Sequence, residues 1–164
     1  GWIHALPRLV ASQSEAAGPI SIAFEKRLLE IEPVVADQTV AESIQVGNPV
    51  SLGWRALSAL RESHGTAVPL SDEEILEAQS LTARLAGISA EPAAATSVAA
   101  AKSLRAAGVI RPDELVVCNL TGHGLKQPEA IRIGENELQP IAPTLEALRG
   151  QLRLWEPSAE RRRR

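Results

Sequence analysis

The fold is decided by residues 91–124, which read EPAAATSVAAAKSLRAAGVIRPDELVVCNLTGHG. Pro92 suits the first turn of a helix, where its missing N–H costs no hydrogen bond, and the alanine-rich stretch after it continues the helix. Residues 115–120 (LVVCNL) show almost no polar alternation, which is typical of a strand covered on both faces by helices. The stretch therefore predicts a helix over residues 91–107 followed by a buried strand.

Strands and helices alternate through the rest of the chain. The sequence predicts strands at residues 7–13 and 66–70, and helices at 19–31, 52–62, 71–86 and 144–155. Ser71 and Glu74 form a capping box, in which a hydroxyl and a carboxylate satisfy two free amides at a helix start. This order favours an α/β fold with a layered parallel sheet flanked by helices. Ligands of such sheets lie beyond the carboxyl ends of the strands, so the loop after Leu120 is the first candidate site.

Length and charge limit the organisation and the partners. The 164 residues fit one domain, expected over residues 1–156, with a disordered Arg-rich tail over 157–164. The formal net charge is -3, and no basic face with interleaved aromatic residues accompanies the terminal arginines, so nucleic acid is not an expected partner. No apolar run approaches the ~20 residues that span a bilayer, and no signal peptide is visible. We therefore expect a soluble, cytoplasmic protein without membrane contact.

The cysteine and histidine patterns indicate no metal site. Cys118 is the only cysteine, and within an apolar run it is expected to behave as a small buried hydrophobe. His4, His64 and His123 lie in separate segments without the spacing of paired ligands. Metal binding is therefore not expected.

The candidate loop reads TGHGLKQP at residues 121–128. Two glycines beside a histidine let backbone amides and the Thr121 hydroxyl approach a flat or anionic ligand closely. An ordinary glycine-rich turn accounts for the same residues equally well on spacing alone. Glu91 stands at a predicted helix start, where the positive end of the helix favours a carboxylate, and a helix-capping acid is the preferred interpretation. The acids at residues 72–74 are likewise predicted first-turn residues.

An ordered series of segments resembles the carboxy-terminal half of threonine synthase. The segments are residues 7–10 (PRLV), 13–15 (QSE), 19–24 (PISIAF), 47–49 (GNP), 62–65 (ESHG), 72–75 (DEEI), 91–93 (EPA) and 116–126 (VVCNLTGHGLK). Their order along residues 1–128 makes the resemblance specific. It implies a partial fold-type II pyridoxal phosphate enzyme, in the fold group of tryptophan synthase β subunits and threonine dehydratases. Residues 1–156 would then be the carboxy-terminal part of a threonine-synthase-like domain.

The resemblance also implies an activity and a cofactor contact. Threonine synthase is a pyridoxal phosphate-dependent lyase of threonine biosynthesis that converts O-phosphohomoserine and water into threonine and phosphate. By this resemblance, Thr121 hydrogen-bonds the pyridine nitrogen of pyridoxal phosphate and Gly122 clears space beside the ring. A neutral hydroxyl at that nitrogen moderates the electron-withdrawing power of the ring. No catalytic residue of this chain is assigned.

The lysine that would hold the cofactor is not apparent in this chain. The three lysines, Lys26, Lys102 and Lys126, lie on predicted solvent-facing helix positions or match a different family position. We expect the Schiff-base lysine and the phosphate-binding loop to lie upstream of Gly1, so this chain alone is expected to be inactive. The resemblance also implies that the intact enzyme is a homodimer. Two alternatives stay open: a fragment of a threonine or serine dehydratase-like enzyme, and a non-catalytic remnant or partner-binding α/β domain.

Overall fold

The computed structural model of the chain describes residues 5–49, 52–131 and 140–154. The chain divides into two units, Gly1–Arg132 and Ile133–Arg164. The predicted Arg-rich tail at residues 157–164 lies outside the described residues, as does His4. Within the described ranges, no helix is both long enough and apolar enough to cross a bilayer.

The sheet of the first unit consists of two parallel strands. Strand β1 spans Val10–Ser14 and strand β2 spans Thr66–Leu70. The strands run in register from the Val10 and Thr66 pair to the Ser14 and Leu70 pair. This pairing confirms the two strands predicted near the amino terminus and in the middle of the chain.

The described residues form five α-helices. They are α1 Pro19–Glu25, α2 Gly53–Glu62, α3 Asp72–Ala86, α4 Pro92–Ala106 and, in the second unit, α5 Leu145–Leu154. Helix α1 is shorter than the predicted helix because Arg27 adopts a left-handed φ of 56°, and the Leu28 N–H bonds back to the Ala23 carbonyl. Helix α3 begins with both bonds of the predicted capping box and ends at Gly87, whose φ is 68°. The other predicted helices are confirmed with small shifts of their ends.

Helices cover both faces of the sheet. The Ser12 hydroxyl lies 2.9 Å from the Thr96 hydroxyl on α4, whereas Gln13 Oε1 accepts the Ser21 N–H on α1 at 2.9 Å. Because neighbouring residues of a strand point to opposite faces, α4 and α1 lie on opposite sides of the sheet. Helix α3 packs on α4, and α2 packs on α1. The layered α/β fold is therefore confirmed.

The core of the first unit is built from small and medium apolar side chains. Its members lie on β2, α3, α4 and nearby loops, and include Val68, Leu70, Ile75, Ala78, Ala93, Ala99, Ala100 and Leu104. The alanines of α4 allow this helix to approach α3 closely, so the start of α4 is firmly positioned. That helix start carries the candidate site described below.

The prediction of a buried sheet strand over residues 115–120 is wrong. The run carries no regular secondary structure, and none of its backbone groups bonds to another backbone group in the described part of the chain. Leu115, Val116 and Val117 are 94%, 43% and 86% exposed. The apolar pattern indicates residues that suit a buried position in a sheet. A strand forms there only where a neighbouring backbone supplies hydrogen-bond partners.

Cys118 connects this run to the layered fold. Its thiol lies 3.6 Å from the Ser97 carbonyl on α4, and the residue is only half-buried, in contrast to the full burial expected from the sequence. This partial burial raises the pKa of the Cys118 thiol. The run therefore rests against α4 in its middle while Leu115 and Val117 face outward.

A polar segment before α2 ties β1 to α3. Ser14 Oγ donates to Thr39 Oγ1 at 2.9 Å, and Thr39 Oγ1 donates to Asp72 Oδ1 at 2.6 Å. The Val40 N–H donates to the second carboxylate oxygen of Asp72 at 3.0 Å. Asp72 is a first-turn residue of α3 as predicted, and it also anchors this segment at the carboxyl end of β1.

We expect Asp72→Ala to lower the free energy of unfolding by about 2–3 kcal/mol, because two part-buried donors lose a charged acceptor. Asp113→Ala is the control, since the Asp113 carboxylate is exposed and its ion pair with Arg111 contributes at most about 1 kcal/mol. Urea unfolding followed by circular dichroism measures both variants. Equal losses for the two variants would contradict the anchoring role of Asp72.

Candidate functional site

The loop at residues 121–126 docks against the segment that leads into α4. The Gly124 N–H donates to the Ser89 carbonyl at 2.9 Å, and the Glu91 N–H donates to the Gly122 carbonyl at 3.1 Å. These two backbone bonds flank an isolated antiparallel bridge between Ala90 and His123. The loop is therefore held by backbone contacts and not by side chains alone.

The same segment is tied to α3 from within the core. Gln79, a buried residue of α3, donates its side-chain amide to the Ala90 carbonyl at 2.9 Å. Because a buried carbonyl without a partner is costly, this bond stabilises the backbone to which the loop is attached. The loop consequently has a fixed base that includes α3 as well as α4.

Glu91 places a buried carboxylate beside this loop. Its side chain is only 4% exposed, and Lys126 Nζ lies 3.0 Å from Oε2 and 3.2 Å from Oε1. Ser43 Oγ donates to Oε2 at 3.4 Å. Although Glu91 is the N-cap residue of α4, its side chain makes no capping hydrogen bond. Glu91 therefore occupies the predicted capping position, but its carboxylate holds the loop through Lys126 and does not cap the helix by a hydrogen bond.

Gly122 has no room for a side chain because the Glu91 carboxyl group lies against it. A Cβ atom built on Gly122 would overlap the Glu91 side chain far inside van der Waals contact. The missing side chain thus lets the Glu91 carboxylate pass the loop and meet Lys126. That Gly122 leaves room beside a cofactor ring stays a prediction. That it leaves room for the Glu91 side chain is seen in the structure.

Thr121 presents a hydroxyl that the fold does not use. The residue is exposed, and its side chain makes no hydrogen bond within the described ranges. It directly precedes Gly122, whose carbonyl is fixed by the Glu91 N–H. Thr121 therefore offers a hydrogen-bonding group on an anchored backbone, which is what a ligand contact requires. Its contact with a pyridine nitrogen stays a prediction.

His123 stabilises the backbone of the loop. Its Nδ1 accepts the Leu125 N–H at 3.1 Å and so caps the short turn Gly124–Lys126. Within the part of the chain that the structure describes, no group of three metal-binding side chains comes together. The histidine between the two glycines is thus accounted for by turn formation.

We expect Lys126→Ala to lower the free energy of unfolding by about 1–3 kcal/mol, because it leaves the buried Glu91 carboxylate without its cation. The loss should stay below that of a fully buried pair, since Lys126 itself is well exposed and water can replace it. Lys102→Ala is the matched control, because Lys102 pairs with Glu77 at 2.6 Å between two half-exposed side chains. A cost for Lys126→Ala no larger than that of the control would contradict the anchoring of the loop by this pair.

The sequence did not reveal the pairing of Glu91 with Lys126 or the contact of Ser43. Both charged residues belong to segments that carry the family resemblance, but 35 positions separate them along the chain. The sequence shows only that one segment carries an acid and the other a lysine, which could form an ion pair. Nothing in the local spacing shows that the loop folds back onto the start of α4.

Comparison with known proteins adds a family and several relatives. Residues 1–122 match the model of a family described as pyridoxal-phosphate dependent enzyme. A threonine synthase of Methanocaldococcus jannaschii is 46% identical over 140 residues, which are 85% of this chain and 34% of that protein. A threonine synthase of Methanosarcina acetivorans is 47% identical over 131 residues, which are 80% of this chain and 32% of that protein. These relatives confirm the resemblance, and the chain spans about a third of their length.

A solved structure shows the same fold. A threonine deaminase from T.th. superposes with a TM-score of 0.54 over 80% of this chain and 41% of that chain. The two sequences are 21% identical, so the likeness concerns the fold alone.

Proposed function

Because the chain belongs to the family of pyridoxal-phosphate dependent enzymes, we propose that it is part of a threonine synthase, which converts O-phosphohomoserine and water into threonine and phosphate. The observation that carries this proposal is the 46% identity to the Methanocaldococcus jannaschii threonine synthase over 85% of this chain. The likeness to a threonine deaminase concerns the fold alone and gives the dehydratase alternative no separate support. The proposed enzyme acts in the cytoplasm as a homodimer.

The residues of the loop suit pyridoxal phosphate. This cofactor, when bound, withdraws electrons from the substrate atoms attached to it. The Thr121 hydroxyl is exposed and free of other hydrogen bonds in the described residues, so it is available to hold the pyridine nitrogen. A hydroxyl is neutral at physiological pH, and it therefore holds the nitrogen without favouring its protonation as a carboxylate would.

The ion pair of Glu91 with Lys126 has a positioning role in this proposal. The pair and the backbone bond from Glu91 to Gly122 fix the residue next to Thr121 before any ligand arrives. Ordering of the loop then costs little when the cofactor binds, which strengthens binding. Glu91 and Lys126 act on the loop backbone and are not proposed to touch the reacting atoms.

We expect this chain alone not to form threonine from O-phosphohomoserine. Covalent attachment of the cofactor needs a lysine whose amine is free to react. Lys126 is paired with Glu91, Lys102 is paired with Glu77, and Lys26 is exposed on the surface. A sensitive assay of the purified chain for threonine and phosphate measures its activity. The control is the same purification from host cells that lack the chain, which measures any contaminating host enzyme. Threonine formed above that control would contradict the expectation, and Lys126 would then be the first lysine to replace.

A chimeric enzyme tests the proposed function in cells. In this chimera, the 140 matched residues of this chain replace their counterparts in the Methanocaldococcus jannaschii threonine synthase. We expect it to restore growth without threonine to a bacterial strain that lacks threonine synthase. The unaltered relative is the positive control. Failure of a chimera that accumulates as folded protein would contradict the proposal, and serine deamination by that protein would favour the dehydratase alternative.

A further inference from the structure

The Glu91 carboxylate links two segments that lie far apart along the chain. Lys126 reaches it from the loop at residues 121–126, and the Ser43 hydroxyl reaches its Oε2 atom from the turn Glu42–Ile44. We propose that Ser43 is a positioning residue of the candidate site, which acts through Glu91 to hold the loop in the form that receives pyridoxal phosphate. The inference rests on the proposed function, because that function identifies the ligand of the loop.

Ser43 supplies what the ion pair alone does not. Burial of the Glu91 carboxylate is costly unless donors satisfy its oxygens. The Lys126 side chain is 60% exposed, so water competes for its ammonium group and its long stem keeps much of its freedom. Within the described ranges, Ser43 is the other side chain that donates to this carboxylate, at 3.4 Å. Because a serine side chain has little freedom to lose, its hydroxyl fixes the orientation of Glu91 at a small entropic cost.

The turn that carries Ser43 is held in place by the fold. Ala41, just before the turn, is fully buried in the core, and its carbonyl accepts the Ile44 N–H at 3.0 Å. Thr39, two residues earlier, donates to Asp72 on α3 at 2.6 Å. Ser43 itself is exposed, so the loss of its hydroxyl should leave both the turn and the core intact. Ser43 therefore approaches Glu91 from an ordered backbone.

The orientation of Glu91 matters because the loop closes tightly against its side chain. A Cβ atom on Gly122 would overlap the Glu91 carboxyl group, so this carboxyl group and the Gly122 backbone are in close contact. A rotated carboxylate would release Lys126 or press on Gly122. Either change would shift Thr121, which is the next residue and the proposed cofactor contact. The cofactor would then have to order the loop as it binds, which weakens binding.

Amide hydrogen exchange of this chain, without cofactor, measures the order of the loop. The Glu91 and Gly124 amides are the reporters, because they form the two backbone bonds that attach the loop to the start of α4. We expect Ser43→Ala to raise their exchange rates about threefold to tenfold, which is the effect of losing one modest hydrogen bond. The Thr66 amide, which bonds to the Leu9 carbonyl, should keep its rate. Ser43→Thr keeps the hydroxyl and should restore slow exchange at both reporters.

The affinity for the cofactor is measured on the chimeric enzyme. Its pyridoxal phosphate is removed, and the protein is titrated with fresh cofactor while the visible absorbance is followed. We expect Ser43→Ala to raise the dissociation constant about threefold to tenfold, and Ser43→Thr to restore it. Ser58→Ala is the matched control, because the Ser58 hydroxyl also donates to a glutamate, Glu62, but within α2 at 2.6 Å. This control should change neither the affinity nor the exchange rates of the reporters.

Three results would overturn the role of Ser43. The first is equal acceleration of the Thr66 amide in Ser43→Ala, because Ser43 would then support the whole fold. The second is an unchanged dissociation constant or unchanged reporter amides in that variant, and the third is failure of Ser43→Thr to restore them. A chimera that binds pyridoxal phosphate but forms no threonine would contradict only the proposed function, because neither measurement depends on turnover. A folded chimera that binds no cofactor would contradict both.

Discussion

Thr121→Val should lower the rate of threonine formation by the chimeric enzyme by roughly one to two orders of magnitude. Valine keeps the shape of threonine but cannot hydrogen-bond, so the pyridine nitrogen would lose the partner that the proposed contact gives it. Such a loss costs ~1–3 kcal/mol, and ~1.4 kcal/mol corresponds to a factor of ten in rate. The thermal stability should change little, because the hydroxyl is exposed and unused by the described fold.

The measurement is the steady-state rate at saturating O-phosphohomoserine, with bound cofactor confirmed by its visible absorbance. Thr66→Val is the matched control, since Thr66 lies at the start of β2 and its hydroxyl makes no bond in the described residues. That control should retain full activity. An unchanged rate for Thr121→Val with cofactor present would mean that the loop is a turn and nothing more.

Gly65→Ala should be the most destabilising of the proposed substitutions, at about 3 kcal/mol. A Cβ atom on Gly65 would overlap the Leu9 carbonyl, which is backbone and cannot swing aside as a side chain can. That carbonyl also accepts the Thr66 N–H at 3.0 Å at the start of the parallel pairing. Because a domain of this size has only about 5–15 kcal/mol of stability, the loss would remove roughly a fifth to three fifths of it.

Gly87→Ala separates this clash from ordinary backbone strain. Gly87 has a φ of 68° and open space around it, so alanine there should cost only ~1–2 kcal/mol. Urea unfolding of the two variants measures the difference. A smaller loss for Gly65→Ala than for Gly87→Ala would contradict the close approach of β1 to the end of α2.

The sequence was sufficient where neighbours along the chain determine the structure. The bonds between Ser71 and Glu74 define the start of α3, and Gly87 ends it by a conformation that glycine adopts freely. The alanine-rich helix α4 follows from Pro92 and from residues with high helix propensity. The two strands likewise follow from short β-compatible runs. Each of these features depends on residues that lie close to one another along the chain.

The sequence was insufficient where distant residues decide the outcome. Residues 115–120 have the composition of a buried strand, but the described chain supplies no backbone beside them. Glu91 has the position of a capping acid, yet its partner Lys126 arrives from the folded-back loop. Arg27 ends α1 early through a left-handed conformation that residues other than glycine adopt rarely. No local pattern encodes the distant partner of Glu91 or the missing partner of residues 115–120, and the early end of α1 is a local conformation that its residue types do not predict.

The product balance of the purified chimeric enzyme tests the assignment to threonine synthase most directly. We predict that each O-phosphohomoserine consumed yields one threonine and one phosphate, and that serine yields no keto acid. The unaltered Methanocaldococcus jannaschii threonine synthase, assayed alongside, sets the scale for the rate. A folded chimera with bound pyridoxal phosphate that forms keto acid from serine, or that leaves O-phosphohomoserine untouched, would contradict the assignment of this chain to a threonine synthase.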